Sequence, residues 1–280
     1  MRAGLLVLAA IGAIANGARA QAMRDFSVER ARKSETRLRA VVDFGAGELF
    51  LRPSTTGALY HFKLRYDTER FSPFGEYDPG HGVVRLGLDR RGSGGIRVAR
   101  KEQLEQTALV ELSPDVALTL EANFGASESS LELGGLNLED LSVGTGASRT
   151  EVRFSRPTSG LCRRADFSTG AAELVLKGLG NSGCRRITVR GGVGAVNADL
   201  SGAWPEDAEM TVSVTLGGLK LTAPRDLGVR LTVSRFLANL SADGFVKDGK
   251  TYTSRGYDSA QRHVNLVVET TLGGIEVEWR

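Results

Sequence analysis

A Gly-Ala corner returns at a nearly fixed spacing between alternating strands, and this recurrence narrows the possible folds more than any other feature of the chain. Small-residue turns stand at Gly125-Ala126, Gly146-Ala147, Gly170-Ala171, Gly194-Ala195 and Gly217-Gly218, each two dozen positions or slightly fewer after the last. Between them the apolar residues alternate, as in Val116, Leu118, Leu120, Ala122 and Phe124, or Met210, Val212, Val214 and Leu216. Val264, Leu266 and Val268, then Ile275, Val277 and Trp279, close the chain in the same rhythm. Period two over such lengths specifies strands with one buried face. A unit of two strands and a corner cannot bury that face alone, so neighbouring units must stack. Glycine at the corner removes the Cβ that would keep adjacent units apart. The expectation is an all-β, β-helix-like (solenoid) stack of about 22-residue two-strand rungs over residues 106–280, with a β-rich N-terminal section over 35–100. The alternative is an antiparallel β-sandwich with evenly spaced hairpins.

The two cysteines fit the stack. Cys162-Arg163-Arg164 and Cys184-Arg185-Arg186 stand one repeat apart. Equivalent positions on neighbouring rungs sit about 4.8 Å apart, within reach of a disulfide, so a Cys162–Cys184 staple is expected. Residues 1–20 carry Arg2, an apolar run from Leu5 to Ala15 and the cleavage pattern Ala18-Arg19-Ala20, which reads as a signal peptide. Residues 21–34 read as a charged linker. Losing Arg2 and Arg19 with the signal would take the net charge from +3 to +1, which gives no charge argument for a nucleic-acid partner. No later segment is long and apolar enough to span a membrane. An oxidising compartment, periplasmic or extracellular, suits the cysteine pair.

The N-terminal residues also resemble a known bacterial family, the toast-rack domains. The match is carried by VVDFGAGELFLRP, GALYHFKLRYD and FSPFGEYDPGHGVVRLGLD, with Gly45, Ala46, Gly47 and Leu49 in the first motif and Pro73 and Tyr77 in the third. LELGGLNLEDLSVGTGAS is similar to the family's repeated strand-corner-strand region. The resemblance implies a β-helix-like module on the exported side of the membrane, related to proteins of the cell-wall antibiotic response and to candidate adhesins. It implies no reaction, since the family offers no catalytic residues to transfer.

Chemistry-bearing motifs are few. GLGNSG at Gly178–Gly183 has dinucleotide-site spacing, yet Ile187-Thr188-Val189-Arg190 after it reads as a strand, so the motif is a turn. His61, His81 and His263 are expected at the surface. Glu139-Asp140 are expected as solvated turn residues, and no calcium-loop spacing occurs. No catalytic, cofactor or metal residue is therefore assigned, and the chain is expected not to be an enzyme. The candidate binding surface is an arginine ladder, Arg163, Arg164, Arg185 and Arg186, brought side by side by stacking. Its guanidinium forks suit carboxylate and phosphate; the bland reading is a hydrated face balanced by acids such as Asp166 and Glu151. A second candidate is the insertion Asp243–His263, whose Phe245, Tyr252 and Tyr257 form either a recognition loop or a capping hairpin. The expected function is a non-catalytic envelope-binding or adhesin-like module. Its partner would be an anionic polysaccharide or lipopolysaccharide, or a protein. A β-helix polysaccharide-active enzyme and a self-associating structural protein are the alternatives.

Overall fold

The computed structural model describes residues 22–91, 105–241 and 243–280, without the side chains of 235–238. The expected signal at 1–20 lies outside the described residues. Sixteen strands form one continuous sheet, and no α-helix occurs among the described residues.

The repeat is realised as bent strands stacked in parallel. β7 (Ala117–Glu132), β10 (Arg164–Lys177), β11 (Arg186–Asp199) and β12 (Ala208–Ala223) each run through their own corner, while one rung is split into β8 (Leu138–Thr145) and β9 (Arg149–Arg153). Each long strand therefore has a first arm, a corner and a second arm. Pairing is in register: Arg164 opposes Arg186 and Ile187 opposes Met210. Side chains pointing inward form apolar ladders along the stack. One runs Ala40, Leu120, Leu141, Ala165, Ile187, Met210, Leu266 and Leu231, all buried. Return loops close each coil with further buried residues, among them Leu136, Leu179, Leu200 and Trp204. An antiparallel sandwich is excluded by the parallel ladders.

Register corrects one detail of the repeat. Gly194 opposes Ala172, not Gly170, because Ala171 pairs with Val193. Two glycine ladders exist, one at the corner itself and one two residues later. The later one holds Gly194, Gly217 and Gly273 at φ +137°, +147° and +139°, each directly opposite the next. A Cβ at any of the three would overlap the backbone of the neighbouring rung, so close stacking requires glycine here.

Both ends of the stack depart from chain order. At the C-terminal end, β16 (His263–Trp279) inserts between β12 and β13 (Gly228–Ser241), parallel to both. The hairpin β14 (Phe245–Asp248) and β15 (Thr251–Ser254) then pairs with the outer edge of β13 at Arg230–Thr232. At the N-terminal end, β2 (Arg37–Pro53) is the first full rung and pairs with β7, not with the strand that follows it in the chain. Its other edge is shared by β5 (Val83–Arg90) and β6 (Thr107–Leu112). β4 (Phe71–Asp78) lies antiparallel on β5, and β3 (Ala58–Asp67) antiparallel on β6.

The expected charged linker holds a strand instead. Met23–Ala31 form β1, antiparallel to β3. Its alternation was hidden among charges, yet Phe26 and Val28 pack on the core and Phe26 meets Phe62 edge-on at 6.1 Å. β6 likewise joins the N-terminal strands β2 and β3 rather than opening the repeats at 106.

Candidate functional site

With the apolar residues inside, the residues that could do chemistry stand in rows on the outer faces, one residue per strand and about 4.8 Å apart. On the first-arm face one row reads Asp140, Arg164, Arg186, Glu209. The arginine pair predicted by stacking is therefore formed: Arg164 and Arg186 are direct neighbours. Like charges in directly opposite positions are unfavourable by about 0.2–1 kcal/mol. Acids flank the pair instead of separating it. Arg163 and Arg164 both engage Asp140, and Arg164 also lies 3.7 Å from Asp166. Arg185 meets Glu206 at 3.2 Å. Arg163, Arg185 and Arg186 converge on one recess with Asp207 and Glu209. Asp140 is thus a largely buried bridge rather than a solvated turn residue, and Glu139 approaches Arg37 at 3.4 Å. Of the two acids named from sequence as balancing this face, Asp166 is beside it. Glu151 is on the other arm, bonded to Arg153 and Lys177.

The Cys162–Cys184 disulfide is present, joining two adjacent rungs just before this arginine row. Both cysteines are buried. The staple holds together the starts of β10 and β11, from which the arginines project.

The insertion behaves as a cap. Phe245 packs on Trp279, with centroids 5.1 Å apart, and the Trp279 indole donates to the Asp243 carbonyl oxygen at 2.7 Å. Phe245 and Tyr252 lie half-buried against the core. Tyr257 has the Arg230 guanidinium 4.3 Å over its ring and His263 4.6 Å away. The three aromatic residues singled out for recognition are engaged within the chain, which favours the capping-hairpin reading.

GLGNSG forms a return loop with a short 3-10 turn at Leu179–Ser182. Asn181 donates to the Phe154 carbonyl oxygen at 2.9 Å, and its own side-chain oxygen accepts from the Ala203 amide at 2.9 Å, tying three successive loops together. Among the described residues no cluster of three or more His, Cys, Asp or Glu could hold a metal ion.

Two features of the second-arm face were not legible in the sequence. His61 is not a surface residue: it bonds Glu111 at 3.0 Å, and Glu111 in turn meets Arg52 at 2.8 Å. Burial works against the charged form of Glu111, but hydrogen bonds from Arg52 and His61, with their charge, outweigh it and hold the carboxyl below the usual range. Ser27 reaches the other ring nitrogen of His61 at 3.4 Å. That serine–histidine–glutamate order has the connectivity of a nucleophile relay, but only Ser27 is exposed and the chief effect of the contacts is to satisfy the buried Glu111 carboxylate. The second feature is Phe50, 46% exposed and outward-facing on β2.

Bent parallel rungs, a stapled core and open polar faces define a β-helix-like solenoid. Residues 18–177 match the N-terminal domain of toast_rack (DUF2154), and residues 182–277 match the C-terminal domain of LiaF, of the cell wall-active antibiotics response. The chain belongs to the toast-rack family. Among solved structures it is similar to a candidate cell adhesion protein of Clostridium sporogenes, at 15% identity and TM-score 0.52 over 92% of this chain and 100% of that one. A candidate adhesin of Bacteroides fragilis (12% identity, TM-score 0.38, 91% and 97% covered) resembles it more loosely. So does a candidate lipid-binding protein of Parabacteroides distasonis (8%, 0.42, 91% and 96%). The shared fold rests on the first of these. No curated protein matches the chain.

Proposed function

We propose that this chain is an exported, non-catalytic binding module of the bacterial envelope that holds an anionic envelope polymer, a lipopolysaccharide or acidic polysaccharide, on its arginine row. The observation that carries the reading is the convergence of Arg163, Arg185 and Arg186 on one recess beside the like-charged neighbours Arg164 and Arg186. The existing ion pairs of this row do not oppose it. The arginine side chains are about two-thirds exposed, and exposed pairs contribute about 0–1 kcal/mol. A polymer with several phosphates or carboxylates can exchange with the exposed Glu206 at little cost and can add to the outer edges of Arg163 and Arg164 while these keep the largely buried Asp140 paired, gaining bidentate bonds at several rungs at once. Export is supported by the disulfide and by the family's link to the cell-wall response. Among the described residues no helix is long and apolar enough to cross a membrane.

The test is binding of the chain to lipopolysaccharide, peptidoglycan and acidic polysaccharide, beside a variant with all four arginines changed to Ser. Binding that weakens with salt and is lost in the variant supports the reading; equal binding by both chains refutes it.

A self-associating structural role is the second reading. It is favoured by an exposed aliphatic ridge, Val193, Leu216 and Leu272, on three adjacent strands. A concentration-independent monomer mass in solution would remove it.

A further inference from the structure

The second-arm face alternates its charges almost everywhere. Arg149 meets Glu173 at 2.9 Å, Glu151 sits between Arg153 and Lys177, and Arg52 is bonded to Glu111. One place breaks the pattern. Glu48 on β2 and Glu128 on β7 are direct neighbours in register and both exposed, and neither has an ion pair among the described residues. Arg149 stands directly opposite Glu128 on its other side, but its ion pair is with Glu173 on the strand beyond. Beside the carboxylates, in the next row, stands Phe50, nearly half exposed, flanked by Leu109 and Ser130 on the adjacent strands. Glu48, Phe50, Glu128, Ser130, Arg149 and Glu151 line one open recess of about 380 Å³, at the lower end of ligand-pocket volumes.

We infer that this recess is a subsite for an amino sugar, a pyranose ring carrying a free amine. An exposed aromatic ring gives a flat apolar surface for the C–H face of a sugar. Two carboxylates side by side on adjacent strands attract an ammonium group, which would offset their mutual repulsion and donate hydrogen bonds to both. Neighbouring hydroxyls then fall to Ser130, Glu151 and Arg149. An N-acetylated sugar presents a neutral amide instead and leaves the two carboxylates uncompensated. A basic side chain would satisfy the carboxylates and can also pack on Phe50, but it brings no hydroxyls for Ser130, Glu151 and Arg149. The subsite is on the opposite arm from the arginine row and does not depend on it.

The experiment titrates the full chain with a tetramer of glucosamine, its fully N-acetylated counterpart and tetralysine, followed by calorimetry. The glucosamine tetramer is expected to bind at least tenfold more tightly than either comparator. Phe50→Ala and the double variant E48Q/E128Q should each weaken it at least tenfold, while Phe50→Tyr should retain it. The four-arginine Ser variant should bind it as the native chain does, which separates failure here from failure of the polyanion reading. No binding of the glucosamine tetramer, equal binding of the acetylated form or of tetralysine, or native affinity in Phe50→Ala would each overturn the assignment.

Discussion

Changing Gly217 to Ala should cost far more than the same change at Gly218, its neighbour on the same rung. Gly217 has φ +147°, and a Cβ there would fall far inside the 3.0 Å that real Cβ atoms keep, against the carbonyl oxygen of Gly194 on the adjacent rung. Gly218 has no such φ, and its added Cβ meets nothing within 4 Å. At Gly217, whose φ falls in a range that side-chain-bearing residues rarely adopt, the backbone penalty is about 1–2 kcal/mol. Parting the rungs to admit the methyl group loses two or three ladder hydrogen bonds at about 1 kcal/mol each, for about 3–5 kcal/mol in all. At Gly218, alanine should be neutral or stabilising by about 0.5–1 kcal/mol, since it lowers the entropy of the unfolded chain. That unfolded-state effect is common to both variants and cancels in the comparison. Guanidinium denaturation of the two variants, fitted with a shared m-value, reads the difference. Stabilities within about 1 kcal/mol of each other would refute the claim that the second glycine ladder sets the spacing of the rungs.

Replacing Cys162 and Cys184 together by Ala should lower stability by about 3 kcal/mol, the loop-closure value for their separation of 22 residues; melting curves with and without reductant should converge in the variant and differ in the native chain. Because Glu111 has a depressed carboxyl pKa when folded, its contribution is present above the unfolded carboxylate pKa and is lost as pH falls through the folded value. Glu111→Gln should therefore flatten the acid limb of the stability–pH curve, and an unchanged limb would count against the Arg52–Glu111–His61 network. Phe245→Ala, which removes the ring packed on Trp279, should loosen the β14–β15 cap and speed amide exchange in β13 at Arg230–Thr232, with little change in β7 or β10.

The rung is written in the chain itself. Period-two alternation at Met210–Leu216 fixes which side chains face inward, and glycine at a near-constant spacing marks where each strand turns. The cysteine spacing follows from the same period, and with it the pairing of Arg164 with Arg186. These are local properties, or ones that repeat at a constant offset. How the stack ends is settled only by long-range pairing. β16 fills the place between β12 and β13, β7 pairs with β2 across the intervening β3 to β6, and Met23–Ala31 becomes a strand, because open sheet edges must find partners and no local pattern says which. The same long-range pairings assemble the second-arm face, where Glu48 and Phe50 meet Glu128 and Ser130, and Arg52 meets Glu111 and His61. None of these partners lies at the repeat spacing, so the recess at Phe50 exists only once the chain has closed its edges.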